Sequence, residues 1–386
     1  MTAPFAGRRL WFVGIGGAGL SAYAQLARAW GAEVGGWDRV ETPYLEQLDG
    51  IDVRLSPQPE VPAGFEAVVS SAYPDVPGLR RRELLRELAA ARPSIVVAGS
   101  HGKGTTAAMI AFVLRETGRD PAWLIGAPVP QLGSNAGAGA GYLVVEGDES
   151  DRTVFSLPAA IAVLTNLDLD HHSEYASLAE LEGAFDAWLA DAGAVVRDAA
   201  PYGGELGLPG ELNRRNAGTA LAALAAAGVG LDEAAPAIAR FTGTGRRFEI
   251  HRLGDVTVVD DYGHHPTEVA ATIAAARERF PGATLRVLFQ PHLYSRTRHL
   301  AVELAEALSA ADDVTVTDVY PAREQPIAGV TGKLVVDGLS DAGVLAAWAP
   351  TVEDGAARLR RRARPGDVVL VIGAGDVDRA VSLLGG

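Results

Sequence analysis

The chain contains no cysteine, two methionines, and only two lysines, Lys103 and Lys333, among 34 basic residues. The first absence excludes disulfides, thiolate nucleophiles and cysteine-ligated metals. The second means that arginine supplies positive charge almost everywhere, so a lysine marks a place where a compact ammonium is wanted. Also missing are an apolar run of roughly 18 residues and a charged-then-apolar leader ahead of the first predicted strand. The expectation is a soluble, cytoplasmic protein without membrane insertion, a monomer or weak homodimer. Net positive charge is lacking too. At -14 the field of the chain repels polyanions, which argues against nucleic acid and anionic membranes as partners. An anionic small substrate then needs a local basic pocket. What is present is ordinary for a well-packed globular chain: 386 residues, 48% hydrophobic and 21% charged, enough for two or three domains.

Lys103 stands in the stretch around which the rest is arranged. A β-branched apolar run, Ser94 to Ala98, ends at Gly99-Ser-His-Gly-Lys-Gly-Thr-Thr106, and an apolar periodic segment runs on to Gly118. This reads as strand, phosphate loop and helix. Glycines let backbone N–H groups converge on phosphates, the helix offers its positive end, and lysine adds a point charge. The spacing is shorter than G-x-x-x-x-G-K-[ST] and puts Gly104 where a magnesium-binding hydroxyl normally stands. A plain strand-to-helix turn is the rival reading.

Upstream, the strand Leu10 to Val13 leads into Gly14-Ile-Gly-Gly-Ala-Gly19 and a helix, and a second strand ends at Asp38. By itself this fits a dinucleotide site with a ribose-binding carboxylate, any ligand with a diphosphate, or a bare turn. The arginines and glutamates of 79–92 read as a solvated helix face, and Pro93 marks a boundary.

Downstream, the strand Tyr142 to Val145 ends in Glu146-Gly-Asp-Glu-Ser-Asp151, four carboxylates that would hold magnesium or form a solvated turn. Ile161 to Thr165 leads to Asp170-His171-His172, a candidate for metal or water ligation that is equally an unremarkable surface turn. Asn213 and Asn216 lie one turn apart on one helix face, placed for a base edge or a cap. Phe241 to Phe248 reads as a linker. Beyond it strands and helices alternate, as in a doubly wound, mostly parallel sheet whose ligands sit at the carboxyl ends of the strands. Six of the eight histidines occupy such strand-end turns. The basic run Arg358 to Arg364 reads as a helix face.

Taken together, Gly14 to Gly19 with Ser21, Val69-Ser-Ser71, Gly99 to Lys103, Gly147-Asp-Glu-Ser-Asp151, Asp170-His171, Asn213 with Asn216, Gly245-Arg-Arg-Phe248, Asp260-Asp-Tyr-Gly-His-His-Pro-Thr-Glu268, Gln290-Pro-His292 with Arg296-Thr-Arg298, Asp318 to Pro321 and Gly373-Ala-Gly-Asp376 resemble the Mur ligases, and the alanine-adding branch in particular. The resemblance implies an α/β protein of three domains. These are an N-terminal Rossmann-like UDP-sugar domain (1–92), a shortened central P-loop ATPase-type domain (93–241) and a C-terminal Rossmann-like amino-acid domain (242–386). It implies ATP and Mg2+ as cofactors, and UDP-N-acetylmuramate and L-alanine as substrates. The diphosphate at the first glycine turn is then that of UDP.

Residue by residue, the match assigns Gly14, Gly16, Gly17, Gly19, Ser21, Asp38, Ser70 and Ser71 to the UDP-sugar. Gly99, Ser100, His101, Gly102, Lys103, Gly104, Thr105, Thr106, Asn213, Asn216, Arg247 and Asp261 fall to ATP, with Asp261 at the ribose. Thr105, Glu149 and His171 fall to magnesium, with Thr106 as the alternative hydroxyl. Tyr262, His264, His292, Arg296 and Arg298 fall to the amino acid, with an arginine fork on its carboxylate. Lys103, Glu149, His171, Arg247 and His264 form the catalytic set.

The chain departs from the pattern at Gly104 after the lysine, at Leu293 where an arginine is usual, at Leu212 where a histidine precedes the first asparagine, and in a short stretch between His171 and Pro209. Leu293 motivates an alternative acceptor, an amino acid or a recycled peptide. Gly104 and the short middle motivate a non-catalytic UDP-sugar-binding homologue.

Overall fold

The computed structural model describes residues 3–169, 174–322 and 324–385. They form two compact units, one of 3–169, Glu174–Glu205 and Arg215–Thr242, the other of Leu206–Arg214 and 243–385.

The first unit holds two sheets. In the first, β1 (Arg9–Val13) lies between β2 (Glu33–Asp38) and β4 (Glu66–Val69), with β3 (Asp52–Leu55) and β5 (Leu79–Arg80) at the edges, all parallel. The connecting helices are α1 (Ala18–Ala29) and α2 (Arg81–Ala90). Parallel strands covered on both faces bury nearly every side chain, as Leu10, Trp11, Phe12 and Val13 do.

The second sheet has the order β11-β10-β6-β9-β7-β8. Its strands are β6 (Ser94–Ala98), β7 (Ala122–Val129), β8 (Ser134–Gly137), β9 (Leu143–Glu146), β10 (Ile161–Leu164) and β11 (Ala194–Val196). Five are parallel and β8 runs antiparallel to β7. α3 (Lys103–Glu116) is apolar all round, with ten residues buried, because it packs within the core rather than on the surface. α4 (Leu178–Ala190) follows β10. One hydrophobic core runs from Phe5 and Leu10 to Phe185 and Trp188, so both sheets share it and α1 packs on β7 and β8.

Helix α5 (Glu211–Ala226) carries the chain from one unit into the other, and α6 (Leu231–Ile238) completes the first. The second unit is a sheet of order β12-β13-β17-β14-β15-β16, built from β12 (Glu249–Leu253), β13 (Val256–Asp261), β14 (Leu285–Phe289), β15 (Asp313–Val316), β16 (Ala346–Trp348) and β17 (Val368–Ile372). Only β12 is antiparallel. Its helices are α7 (Pro266–Arg279), α8 (Tyr294–Leu308), α9 (Lys333–Asp341), α10 (Val352–Arg362) and α11 (Arg379–Gly385).

The basic run of α10 is not the uniform outer face its composition suggests. Arg358 and Arg362, one turn apart, turn inward to Asp313, which is 1% exposed and also holds Arg286.

Candidate functional site

The glycine turn after β1 is shaped by what presses on it. A Cβ at Gly14, whose φ is +87°, would stand 2.9 Å from Ser70 Cβ, which places the end of β4 beside the turn as the sequence suggests. Asp38 is 7% exposed; its Oδ2 accepts the Gly16 N–H at 2.8 Å and its Oδ1 the Arg39 N–H at 2.7 Å. The carboxylate expected on a ribose therefore has both oxygens on backbone, where it shapes the turn. Ser21 lies fully buried on α1. Arg81 departs from the expected solvated face, since its Nε donates to Tyr23 Oη at 3.3 Å and would sit 3.2 Å from a Cβ at Gly19.

The phosphate loop is clasped by the chain following β10. Ser100 N and His101 N donate to the backbone oxygen and Oδ1 of Asn166, at 3.0 and 2.8 Å. The Thr165 hydroxyl and the Asn166 amide donate back to His101 O, and Ser100 Oγ exchanges hydrogen bonds with the Asp168 backbone. His101 is buried and its Nε2 lies 2.9 Å from Asp168 Oδ2. The N–H groups of Ser100 and His101 thus point at protein, whereas the first turn of α3, whose N-terminal donors have no helical acceptor, could receive a phosphate. Gly102, at φ +77°, would put a Cβ 2.1 Å from Asn216 Oδ1, so Asn216 packs against this loop. Asn213 donates to Pro209 O at 2.8 Å.

Lys103 Nζ donates to Gly99 O at 2.8 Å, to Ser100 O at 3.2 Å and to Glu149 at 3.0 Å. Burial works against its charge, but Glu149, Glu146 and Asp148 outweigh it and raise its pKa. Glu149 is 3% exposed, and burial pushes its carboxyl up to about 7 against the pull of Lys103. The acidic run divides its labour: Glu146 accepts the Gly126 N–H, while Asp148 and Asp151 accept N–H groups from Ser150 and Thr153 two residues on. Only Glu149 meets the lysine. The buried Glu149 carboxylate and the Thr105 hydroxyl are hard oxygen donors of the kind magnesium takes, and a carboxyl whose pKa burial raises gains from a cation. His171 lies outside the described residues.

In the second unit the two linker arginines diverge. Arg246, at φ +54°, bonds Asp260 Oδ2 at 3.2 Å and Gly373 O at 2.7 Å. Arg247 reaches Glu268 Oε1 at 3.4 Å, and both guanidinium groups lie 5.2 Å from the Tyr262 ring centroid. Asp261 accepts N–H groups from Phe248 at 2.9 Å and Gly263 at 2.8 Å, so this carboxylate, like Asp38, is bonded to backbone.

Tyr262, His264, His292 and Tyr320 form a chain of ring contacts 5.7 to 5.8 Å apart, and Arg296 NH1 lies 3.1 Å from His292 Nδ1. Arg296 is 7% exposed, whereas Arg298 is exposed beside His299. The two arginines stand two residues apart on α8 and so face different ways.

Models of the Mur ligase family match the chain in three successive segments: the family's catalytic domain at residues 9–93, its middle domain at 97–191 and its glutamate ligase domain at 246–375. The chain is a Mur ligase. The UDP-N-acetylmuramate–L-alanine ligase of Renibacterium salmoninarum is 37% identical to this Mur ligase over 441 residues, covering 96% of this chain and 94% of that one. The alignment is longer than the 386 residues present here, so the chain is trimmed relative to that protein. The crystal structure of the UDP-N-acetylmuramate–alanine ligase of Thermotoga maritima superposes with a TM-score of 0.79 at 26% identity, covering 97% and 98% of the two chains. A second Mur ligase of that organism, solved with ADP, shares the fold at 17% identity and a TM-score of 0.61, covering 100% of this chain and 98% of that one.

Sequence reading missed Glu268, Tyr320 and Arg81 as site neighbours of this Mur ligase. For Glu268 the signal was present: His265-Pro-Thr-Glu268 is a capping box, with proline at the first helical position and glutamate at the third, and the helix opens that way.

Proposed function

We propose that the chain joins L-alanine to the lactyl carboxylate of UDP-N-acetylmuramate through an acyl phosphate at the expense of ATP, in peptidoglycan precursor synthesis. The observation that carries this reading is the Lys103–Glu149 pair at the head of α3, in a chain that otherwise relies on arginine. The electrostatic problem explains the residue types. A carboxylate must approach a triphosphate, and two like charges roughly 4 Å apart repel by about 4 kcal/mol at an effective dielectric near 20. Lys103 and the N-terminal turn of α3 receive the phosphates. Arg247 reaches developing charge on the transferred phosphoryl group. Thr105 and Glu149, with His171, are the candidates to hold Mg2+, which would screen the phosphate oxygens. Tyr262, His264, His292 and Arg296 receive the amino acid, the guanidinium pairing with its carboxylate. Domain limits near 93 and 242 follow the same assignment.

A coupled phosphate assay tests the reading. Phosphate release should require ATP, UDP-N-acetylmuramate and L-alanine together; robust turnover with either of the last two left out defeats the proposal. A panel of amino acids and peptides separates alanine from another acceptor, the second reading that Leu293 motivates.

A further inference from the structure

Glu268 is nine-tenths buried, at 5% exposure, and its one carboxylate meets two groups given separate tasks above. Oε1 lies 3.4 Å from Arg247 NH1, and Oε2 lies 3.4 Å from His264 Nδ1. Oε2 also accepts the backbone N–H groups of His264 at 3.0 Å and His265 at 3.4 Å. The Tyr262 backbone oxygen, which can only accept, is 3.2 Å from the same Nδ1. Two acceptors facing one ring nitrogen place the imidazole proton on it, so in the neutral ring the lone pair belongs to Nε2.

We propose that Glu268 is a positioning residue that holds His264 as the Nδ1–H tautomer, with Nε2 as proton acceptor for the incoming amino group, and with its other oxygen fixes Arg247. This rests on the ligase reading above. The amino acid arrives as an ammonium, which cannot attack. Transfer of one proton to Nε2 leaves a lone pair on nitrogen, the C–N bond forms at the acyl carbon, the C–O bond to phosphate breaks, and the second proton that the nitrogen sheds goes to the departing phosphate, which leaves as hydrogen phosphate. Glu268 then faces the imidazolium, as a carboxylate behind a histidine stabilises the charge formed there. The same side chain places the arginine that meets the phosphoryl group, so both halves of the reaction are referenced to one buried anchor at the head of α7.

Two measurements test this. Nitrogen-15 NMR of histidine-labelled protein, with the His264 signal assigned from its loss in H264Q, should show Nδ1 protonated and Nε2 unprotonated in the neutral ring. The reverse tautomer overturns the proposal without reference to turnover. Kinetically, Glu268→Gln keeps an oxygen to accept the capping N–H groups. It should lower alanine-dependent kcat by roughly ten- to a hundredfold, with KM for ATP and the UDP-sugar within about threefold. E268Q should slow the H264A enzyme by clearly less than it slows the parent, since H264A already removes the His264 share of the loss and leaves only the Arg247 share. Multiplicative losses, or an E268Q enzyme as fast as the parent, overturn it. If the parent itself fails to release phosphate, the ligase reading has failed and the tautomer result stands on its own.

Discussion

Lys103 and Glu149 pair at 3.0 Å at the head of α3, the lysine 16% and the glutamate 4% exposed at the side chain. Burial lifts the glutamate to about 7 while its neighbours keep the lysine charged, so a cation at Glu149 would offset the cost of burying its charge. Lys103→Ala should abolish phosphate release, by at least about a hundredfold, because the point charge on the phosphates is lost. Its fold should survive, as Glu149 can take a proton in place of its partner. Turnover within tenfold of the parent would show that the lysine is a structural counter-ion only.

The two candidate hydroxyls separate by burial. Thr106 is 0% exposed and its Oγ1 has no hydrogen-bond partner among the described residues, whereas Thr105 is 5% exposed. A buried hydroxyl without a partner is a liability, and an isosteric apolar replacement removes it. Thr106→Val should be neutral or up to about 1 kcal/mol stabilising in denaturant titration, with Mn2+ affinity unchanged. Thr105→Val should weaken Mn2+ binding, read by electron paramagnetic resonance, by about tenfold or more. The opposite assignment of the two effects would place the metal-facing hydroxyl at Thr106.

Much of this was legible in the chain because it depends on local chemistry. The glycine turns, the parallel strands and the lysine of the phosphate loop are each dictated by conformational freedom, burial or charge type at a given position. What escaped is what tertiary contact decides. Nothing local says that Asp38 and Asp261, standing where ribose ligands stand, turn their oxygens onto backbone N–H groups. Likewise, Arg358 and Arg362 read as solvent charges until Asp313 on β15 is brought beneath them.

Asp313 predicts an acid limit for the second unit. Burial alone would raise its carboxyl, but Arg362, Arg358 and Arg286 hold it below the ordinary aspartate value. A depressed folded pKa contributes stability that is present above the unfolded value and lost as pH falls through the folded one. Stability should therefore decline through that acidic window, and Asp313→Asn should flatten the decline. At neutral pH the same substitution takes the carboxylate from Arg358, 17% exposed, while Arg286 keeps Asp367 and Arg362, 41% exposed, meets water, so the cost falls below the roughly 3 to 5 kcal/mol of a fully buried pair. An unchanged acid profile in D313N, followed by circular dichroism, would assign the decline to other carboxylates.

Leu293 caps α8 with φ +69°, a conformation that a branched side chain rarely adopts. It is held there by its N–H on Tyr320 O at 2.9 Å and by its carbonyl, which accepts from Thr297 N at 3.1 Å and Thr297 Oγ1 at 2.8 Å. Such backbone strain costs about 1 to 3 kcal/mol, and glycine removes it at the expense of some chain entropy. Leu293→Gly should therefore gain about 1 kcal/mol in denaturant titration. Because the residue follows His292 directly, the same variant reports on function: a kcat/KM for L-alanine that falls while stability rises would mean that the strain holds His292 against Tyr320 for the acceptor. A variant that gains neither stability nor loses rate would show that the surrounding bonds, not the leucine, set the geometry.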